Sequence, residues 1–117
     1  MTLVLLWAGV VDLAAPPAMA AEILSIRNAT LLQIGDQNRS YGVRLACVAV
    51  DEASSKEALG WLQKHGSRGT RVNLRPIGDQ DGLLLARVSI LRSGLDLGEG
   101  LVANGLATAV PCEKSLP

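Results

Sequence analysis

One helical segment separates two groups of short strand-like stretches and a second helical segment follows them, and this order limits the folds that the chain can adopt. Residues 23–34 are mostly apolar with a break at 27–28, which predicts a strand, a tight turn and a second strand. Residues 35–38 are a cluster of turn-forming residues, and 41–50 are expected to form the third strand. On that strand Val43, Leu45 and Cys47 are predicted to point one way, and Arg44, Ala46 and Val48 the other.

The helix is predicted to begin at Ser54 and to end at Gly66. Ser54 and Glu57 have the spacing of a capping box, in which each side chain bonds the backbone amide of the other residue. Strands are expected at 70–75 and 83–91, with a turn at 78–82 between them. A second helix should begin at Asp96, with Glu99 three residues later, and end at 104–105. This order predicts a mainly β protein with two to three helices, a five-stranded barrel of the oligonucleotide/oligosaccharide-binding type.

The composition indicates one domain with an aliphatic core. Apolar residues make up 49% of the 117 residues, but only Trp7, Tyr41 and Trp61 are aromatic. The net charge is zero, so there is no overall attraction to nucleic acid or to a membrane surface. The predicted core comprises Ile26, Leu45, Val72, Leu74, Leu85 and Val88 inside the barrel, closed by Leu59, Leu62, Leu101 and Val102.

The first twenty residues are typical of an export signal. Residues 2–11 form an apolar run too short to span a bilayer, and residues 18–20 form an A-x-A cleavage pattern. No Lys or Arg precedes the run, so a buried N-terminal helix or an uncleaved anchor is the alternative. We expect a signal peptide at 1–20, cleaved near Ala20, a domain at 21–110 and a tail at 111–117, with the mature chain in a periplasm, a lumen or the medium.

The two cysteines and the single histidine limit the chemistry. Cys47 and Cys112 fit an oxidising compartment, and the absence of a Cys-x-x-Cys or Cys/His cluster argues against a zinc site. His65 is placed near a helix end, where its charge would be favourable. That explanation is preferred to a catalytic histidine.

Two runs near the C-terminal end resemble the closing half of the staphylococcal nuclease family. Residues 79–86 read Asp-Gln-Asp-Gly-Leu-Leu-Leu-Ala, and residues 94–107 read Gly-Leu-Asp-Leu-Gly-Glu-Gly-Leu-Val-Ala-Asn-Gly-Leu-Ala. The resemblance covers roughly 23–110. It implies the barrel of that family and calcium-dependent hydrolysis of phosphodiesters. In the family two aspartates and a threonine carbonyl hold calcium, a glutamate activates water, and two arginines clamp the phosphate.

The resemblance leaves a partial set of functional positions. Thr30, Arg44 and Leu45 match the family motifs, and Glu52 matches if no gap intervenes. Arg44 and Glu52 are therefore the catalytic remnants that the resemblance implies. The alternative is structural: an ion pair between the two, with Glu52 as an acid that favours a helix start.

Three family positions hold residues that cannot do the chemistry. Ala29 and Ala49 occupy the positions of the calcium-binding aspartates, and Leu83 that of the second arginine. Calcium requires six to eight oxygen ligands, and a methyl group provides none. We therefore expect no cofactor and an inactive domain. A divergent metal-dependent phosphodiesterase acting on DNA or RNA is the alternative, with Asp51 as a displaced carboxylate.

A binding role remains for the basic residues. Arg44 is a candidate for holding an anion, and Arg68, Arg71 and Arg75 form a modest basic stripe, whose alternative reading is an ordinary solvated face. Tyr41 and Trp61 are the only aromatics after residue 20, which argues against tight binding of single strands. The expected partner is a protein or an anionic ligand, with weak nucleic-acid binding, and the mature chain is expected to have no membrane span.

The resemblance also implies a disulfide, while a departure from the family predicts an exposed barrel edge. The resemblance places Cys47 and Cys112 where the third strand and the segment after the last helix run close together, so a bond between them is expected; two small thiols, buried or exposed, are the alternative. The first strand is expected to be short, which would leave the barrel edge open for pairing with another chain.

Overall fold

Residues 21–112 are the part of the chain that the computed structural model describes. The strands before the first helix are β1 (Ala21–Asn28), β2 (Leu31–Asp36), β3 (Arg39–Leu45) and the short β4 (Val48–Ala49). A 3-10 turn at Glu52–Ser54 leads into α1 (Ser55–His65). The remaining elements are β5 (Arg71–Gln80), β6 (Leu83–Ile90), α2 (Leu97–Ala103) and β7 (Thr108–Ala109).

Five of these strands close into a barrel in the order β1-β2-β3-β6-β5. Neighbours along the chain pair antiparallel, whereas β3 and β6 pair parallel, with Val43 opposite Leu84. The predicted fold class is confirmed: a mainly β barrel of the oligonucleotide/oligosaccharide-binding type, with a helix between its third and fourth strands. Outside the barrel, β4 and β7 form a two-stranded sheet that the sequence did not indicate.

The expected open edge at the first strand is wrong. β1 has eight residues and pairs with β2 along its length. At its start Ala21 lies opposite Val72 and Glu22 opposite Arg71, which joins β1 to β5 and closes the barrel. The turn after β1 lies at 29–30, two residues later than predicted, which gives this strand its length.

The core is aliphatic, as the composition predicted. Leu62 of α1 and Leu97 and Leu101 of α2 are fully buried and cover the barrel interior. Ile26 and Leu74 are half-buried against this core, while Leu59 and Val102 are half-buried without belonging to it. Leu85 was placed in the wrong layer, because it is fully buried in a second cluster outside the barrel core, with Ala46 and the two cysteines. The large fully buried side chains outside the predicted core set are Ile23, Leu32, Ile34, Val43 and Leu97.

Two local expectations near α1 are corrected. The third strand does not continue to residue 50, since Cys47 has a φ of 69° and breaks the alternation between β3 and β4. The Ser54–Glu57 capping box is absent: the Ser54 side chain makes no capping bond. Asp51 is the cap instead, and its Oδ1 accepts from the Ser54 amide at 3.0 Å. The Asp51 carboxylate therefore caps the 3-10 turn at Glu52–Ser54, which immediately precedes α1.

The second half of the barrel is closer to the prediction. β5 continues to Gln80 through an irregularity between Pro76 and Gly78, so the turn is reduced to 81–82. Asp96 caps α2 as expected, with its Oδ1 accepting from the Glu99 amide at 2.9 Å. Asn104 follows the last residue of α2.

The expected disulfide is confirmed. Cys47 and Cys112 are bonded with an S–S distance of 1.99 Å and their Cα atoms 4.2 Å apart. The bond ties the segment after β3 to the segment after β7, where the Val110 amide also donates to the Cys47 carbonyl at 3.0 Å. The expected signal peptide at 1–20 and residues 113–117 of the tail lie outside the described residues.

Candidate functional site

Arg44 lies in the middle of the barrel wall on β3, where Leu31 of β2 and Leu85 of β6 flank it. Its neighbours Val43 and Leu45 are buried, so the alternation of the strand directs Arg44 away from the barrel interior. The side chain is only partly exposed. The backbone of Arg44 is therefore fixed by a paired strand on each side.

The turn between β1 and β2 positions Thr30 against this guanidinium. Arg44 Nη1 donates to Thr30 Oγ1 at 3.1 Å, and Thr30 Oγ1 donates in turn to Asn28 Oδ1 at 3.4 Å. The Asn28 side chain also accepts from the Thr30 amide at 3.0 Å, and the Thr30 carbonyl accepts from the Leu45 amide at 2.8 Å. The turn is therefore fixed to β3 through both backbone and side chain.

The guanidinium has donors to spare. Arg44 Nε is buried, and it has no hydrogen-bond partner among residues 21–112. Within the same residues the ion pairs involve Arg87, so no carboxylate neutralises Arg44. An arginine carries five N–H donors, and a buried donor without a partner costs free energy. Nε is closed to solvent, so an acceptor from outside the chain would meet the other N–H groups of this partly exposed side chain.

A cavity of about 240 Å³ opens beside this guanidinium. Thr30 and Arg44 supply its polar groups, and the remaining wall is aliphatic: Leu45, Val48, Ala49 and Val50. Arg44 is thus the only charged residue of the lining.

The positions that lack the family's side chains are found in three different environments. Ala29 is buried in the barrel core, and Ala49 lines the Arg44 cavity. Leu83 covers Gly42, where an added Cβ would lie 2.6 Å from Leu83 Cδ2. None of the three side chains carries an oxygen or a charge.

The two acidic candidates do not join Arg44. Glu52 is exposed in the first turn of the 3-10 segment, and it does not line the cavity. The ion pair between Arg44 and Glu52 that was the structural alternative does not form, since the ion pairs among residues 21–112 involve Arg87. The second part of that alternative agrees with the structure, because Glu52 lies at a helix start. Asp51 is engaged in capping and lies on a separate small cavity with Ser54 and Thr108.

The other basic candidates are also apart from this cavity. Arg71 and Arg75 are exposed on β5, and Arg75 lies opposite Arg87 of β6. Arg68 is exposed, and its Nη1 donates to the Leu24 carbonyl at 3.2 Å. The cavity lining does not include any of these arginines. The sequence therefore named four arginines, and the structure places one of them in a cavity beside Thr30.

His65 has a local role that fits the preferred explanation. It lies in the last turn of α1, and its ring is 4.3 Å from the Trp61 ring with an angle of 34° between the planes. Among residues 21–112 no group of three or more His, Cys, Asp or Glu side chains is arranged to hold a metal ion. The same residues contain no helix with the length and apolar character needed to cross a membrane.

A charged cluster that was not predicted from the sequence lies at the start of α2. Arg87 of β6 lies 3.7 Å from Asp96 and 3.1 Å from Glu99. The spacing of Asp96 and Glu99 predicted a capping pattern. It gave no indication that Arg87, which lies on β6, would form ion pairs with both carboxylates. A backbone bridge between Ser89 and Asp96 and a hydrogen bond from the Ile90 amide to the Leu95 carbonyl at 2.7 Å bring the two segments together.

Comparison with protein-family models and with curated proteins gives no match to this chain. The resemblance to the staphylococcal nuclease family therefore enters the functional argument as a proposal.

Proposed function

We propose that this protein is an exported, nuclease-like binding module that holds an anionic ligand at Arg44 without hydrolysing it. One observation carries the proposal: a partly exposed guanidinium that is bonded to Thr30, that no carboxylate among residues 21–112 neutralises, and that lines a cavity with no other charged residue. The ligand class is a phosphate, sulfate or carboxylate group of a protein, a small molecule or a nucleic acid.

The replaced family positions support binding rather than hydrolysis. The Ala29 methyl group is buried in the core and the Ala49 methyl group lines the cavity, so neither provides an oxygen for calcium. Leu83 provides no second cation for a phosphate clamp. Removing one charge-stabilising donor typically slows an enzyme by about 10²–10³-fold.

Export is the second part of the proposal. The Cys47–Cys112 bond supports it, because disulfides persist in oxidising compartments and are rare in the cytosol. Removal of 1–20 would take away Asp12 as its only charged residue, leaving eleven basic and ten acidic residues. The mass of the protein recovered from the exported fraction tests this directly: a chain that begins at Ala21 is expected, and a full-length chain in the cytosol contradicts it.

The binding test observes Arg44 itself. The Nε–Hε resonance of Arg44, whose Nε is buried, can be followed by NMR while phosphate, sulfate or a short oligothymidylate is added. We expect the Arg44 resonance to shift and saturate. Arg44→Gln should weaken binding by about tenfold or more, since a hydrogen bond to a charged group contributes about 1.5–3 kcal/mol.

Arg75→Gln is the matched control, because it removes an exposed arginine of the same barrel that does not line the cavity. It should leave the affinity within about twofold of the unmodified protein. An equal loss of affinity in Arg44→Gln and Arg75→Gln would show that the anion responds only to the net charge of the protein, which would contradict the proposal. Cleavage of single-stranded DNA that requires calcium, stops with a chelator and is lost in Arg44→Ala would favour the divergent phosphodiesterase instead.

A further inference from the structure

A second cavity of about 420 Å³ lies between α2 and the segment that the disulfide holds in place. Small apolar side chains form most of its wall, among them Val48, Val102, Ala109 and Pro111, together with the two cysteines. Binding sites for small molecules combine apolar walls of this kind with a few polar groups. This cavity has no role in the proposed anion binding.

The wall opposite α2 is held by three kinds of bond. Val48 pairs with Ala109 in the small sheet, and the Val110 amide donates to the Cys47 carbonyl at 3.0 Å. The Cys47–Cys112 disulfide then fixes the last part of the wall, including Pro111. A cavity whose walls are fixed in this way needs little reorganisation to accept a ligand.

The charged residues that line this cavity give it a net negative charge. Its charged lining residues are Arg87, Asp96 and Glu99, so one guanidinium faces two carboxylates. Asp96 is largely enclosed, with 17% of its side chain exposed, whereas the Glu99 side chain is 71% exposed. The net charge is therefore −1, and the more accessible carboxylate is Glu99.

We propose that this cavity binds a small amphipathic cation, an apolar group that carries an ammonium. The apolar part would occupy the space between Val102 and Pro111, and the ammonium would lie at Glu99. A carboxylate head would instead meet a guanidinium that two acids already neutralise. The site differs from the Arg44 cavity in the sign of its charge, although Val48 contributes to both walls.

Three probes that share a six-carbon backbone and differ in the charge of the head group test whether the cavity prefers a cation. Hexylammonium, 1-hexanol and hexanoate are titrated into the disulfide-bonded protein, and the amide resonances of Gly98, Val102 and Val110 are followed by NMR. We expect saturable shifts, with hexylammonium bound most tightly and hexanoate most weakly. Hexanoate bound as tightly as hexylammonium, or no saturable shift with any probe, would overturn the proposal.

Two variants with matched controls test the location. Glu99→Gln should weaken hexylammonium about two- to fivefold and leave 1-hexanol unchanged, as expected for one exposed charge. Glu57→Gln, at an exposed position in the first turn of α1, should change neither. Ala103→Trp places a large ring at an exposed rim position and should abolish binding of all three probes, whereas Ala53→Trp, also exposed, should not. Unchanged hexylammonium binding in Glu99→Gln, or full binding in Ala103→Trp, contradicts the assignment.

Discussion

Tyr41 is half-buried on β3 against the barrel core, and its surroundings affect its ionisation. Burial raises the pKa of the phenol above its ordinary value of 10.0; the Asp36 carboxylate adds to the rise and the Arg39 guanidinium opposes it. The folded protein therefore holds this proton more tightly than the unfolded chain does. The free energy of unfolding should be fully retained below about pH 10 and fall as the pH rises through the folded-state pKa.

Tyr41 is the only tyrosine, so its phenolate absorbance can be titrated without interference from another phenol. We expect a midpoint above that of the urea-unfolded chain. Tyr41→Phe should remove the part of the alkaline loss of stability that this phenol causes. A phenolate midpoint equal to that of the unfolded protein, or an unaltered alkaline profile in Tyr41→Phe, would show that burial does not act as described.

At the scale of single residues, the sequence identified Arg44 but not its environment. The resemblance pointed to Arg44 and Thr30, yet their contact depends on a turn that the pattern placed two residues too early. Glu52 lies in the 3-10 turn that Asp51 caps, and its position relative to Arg44 depends on that turn. The turn was not predicted, because the spacing of Ser54 and Glu57 favoured a helix that begins at Ser54. The unpaired Nε follows from these local geometries, which no sequence pattern records.

At the scale of elements, Gly100 of α2 has a packing reason that outweighs helix propensity. Each glycine inside a helix costs up to about 1 kcal/mol relative to alanine. Gly100 nevertheless faces Trp61 of α1, and a methyl group there would overlap the ring, with Cζ2 only 2.8 Å away. Gly60 of α1 has open space around it. The close approach of the two helices therefore depends on the missing side chain of Gly100.

This difference predicts opposite effects for the same substitution. Gly100→Ala should lower the free energy of unfolding by about 1–3 kcal/mol, because the overlap forces α1 and α2 apart. Gly60→Ala should raise the free energy of unfolding by about 0.5–1 kcal/mol. At this exposed helical position alanine fits without overlap, and it has less conformational freedom than glycine in the unfolded chain. Urea unfolding of both variants measures the contrast. A stabilised Gly100→Ala would show that the helices do not pack as closely as described, and Trp61→Leu combined with Gly100→Ala should lose less than the sum of the single changes.

Element types were easier to predict than element ends. Alternating apolar residues indicated the barrel strands, and Asp96 and Glu99 correctly indicated the start of α2. The ends depend on single backbone choices, such as the positive φ of Cys47, which divides the predicted third strand into β3 and β4. Because β4 has only two residues and pairs with β7 far along the chain, no local pattern could reveal it.

At the scale of the whole molecule, the order of elements was sufficient to predict the barrel, and its closure was not foreseen. Ala21 and Glu22 close it by pairing with β5, a contact between segments fifty residues apart in the chain. The parallel pairing of β3 with β6 likewise joins strands on either side of α1. Both pairings require loop closures whose entropy the packed aliphatic core must offset.

The disulfide links this closed barrel to the segment that follows it. Cys47 and Cys112 are separated by 65 residues, and neither lies in a barrel strand. They pack with Ala46 and Leu85 in the second cluster, on the side of β6 away from the barrel core. The bond therefore constrains the unfolded chain over a long loop while it adds a small apolar cluster to the folded protein.

We expect removal of this bond to lower stability strongly without dissolving the barrel. For a loop of this length the chain-entropy model gives about 4 kcal/mol, which corresponds to a fall in melting temperature of roughly 15–30 °C for a domain of this size. Cys47→Ser with Cys112→Ser should melt that much earlier yet retain the barrel's amide exchange protection at low temperature, because the ladders among β1, β2, β3, β5 and β6 do not involve either cysteine. The unmodified protein with a reductant should melt at the same temperature as the double variant. If the double variant melted within a few degrees of the oxidised protein, the unfolded chain would have to be compact enough to keep the two segments together without a covalent bond.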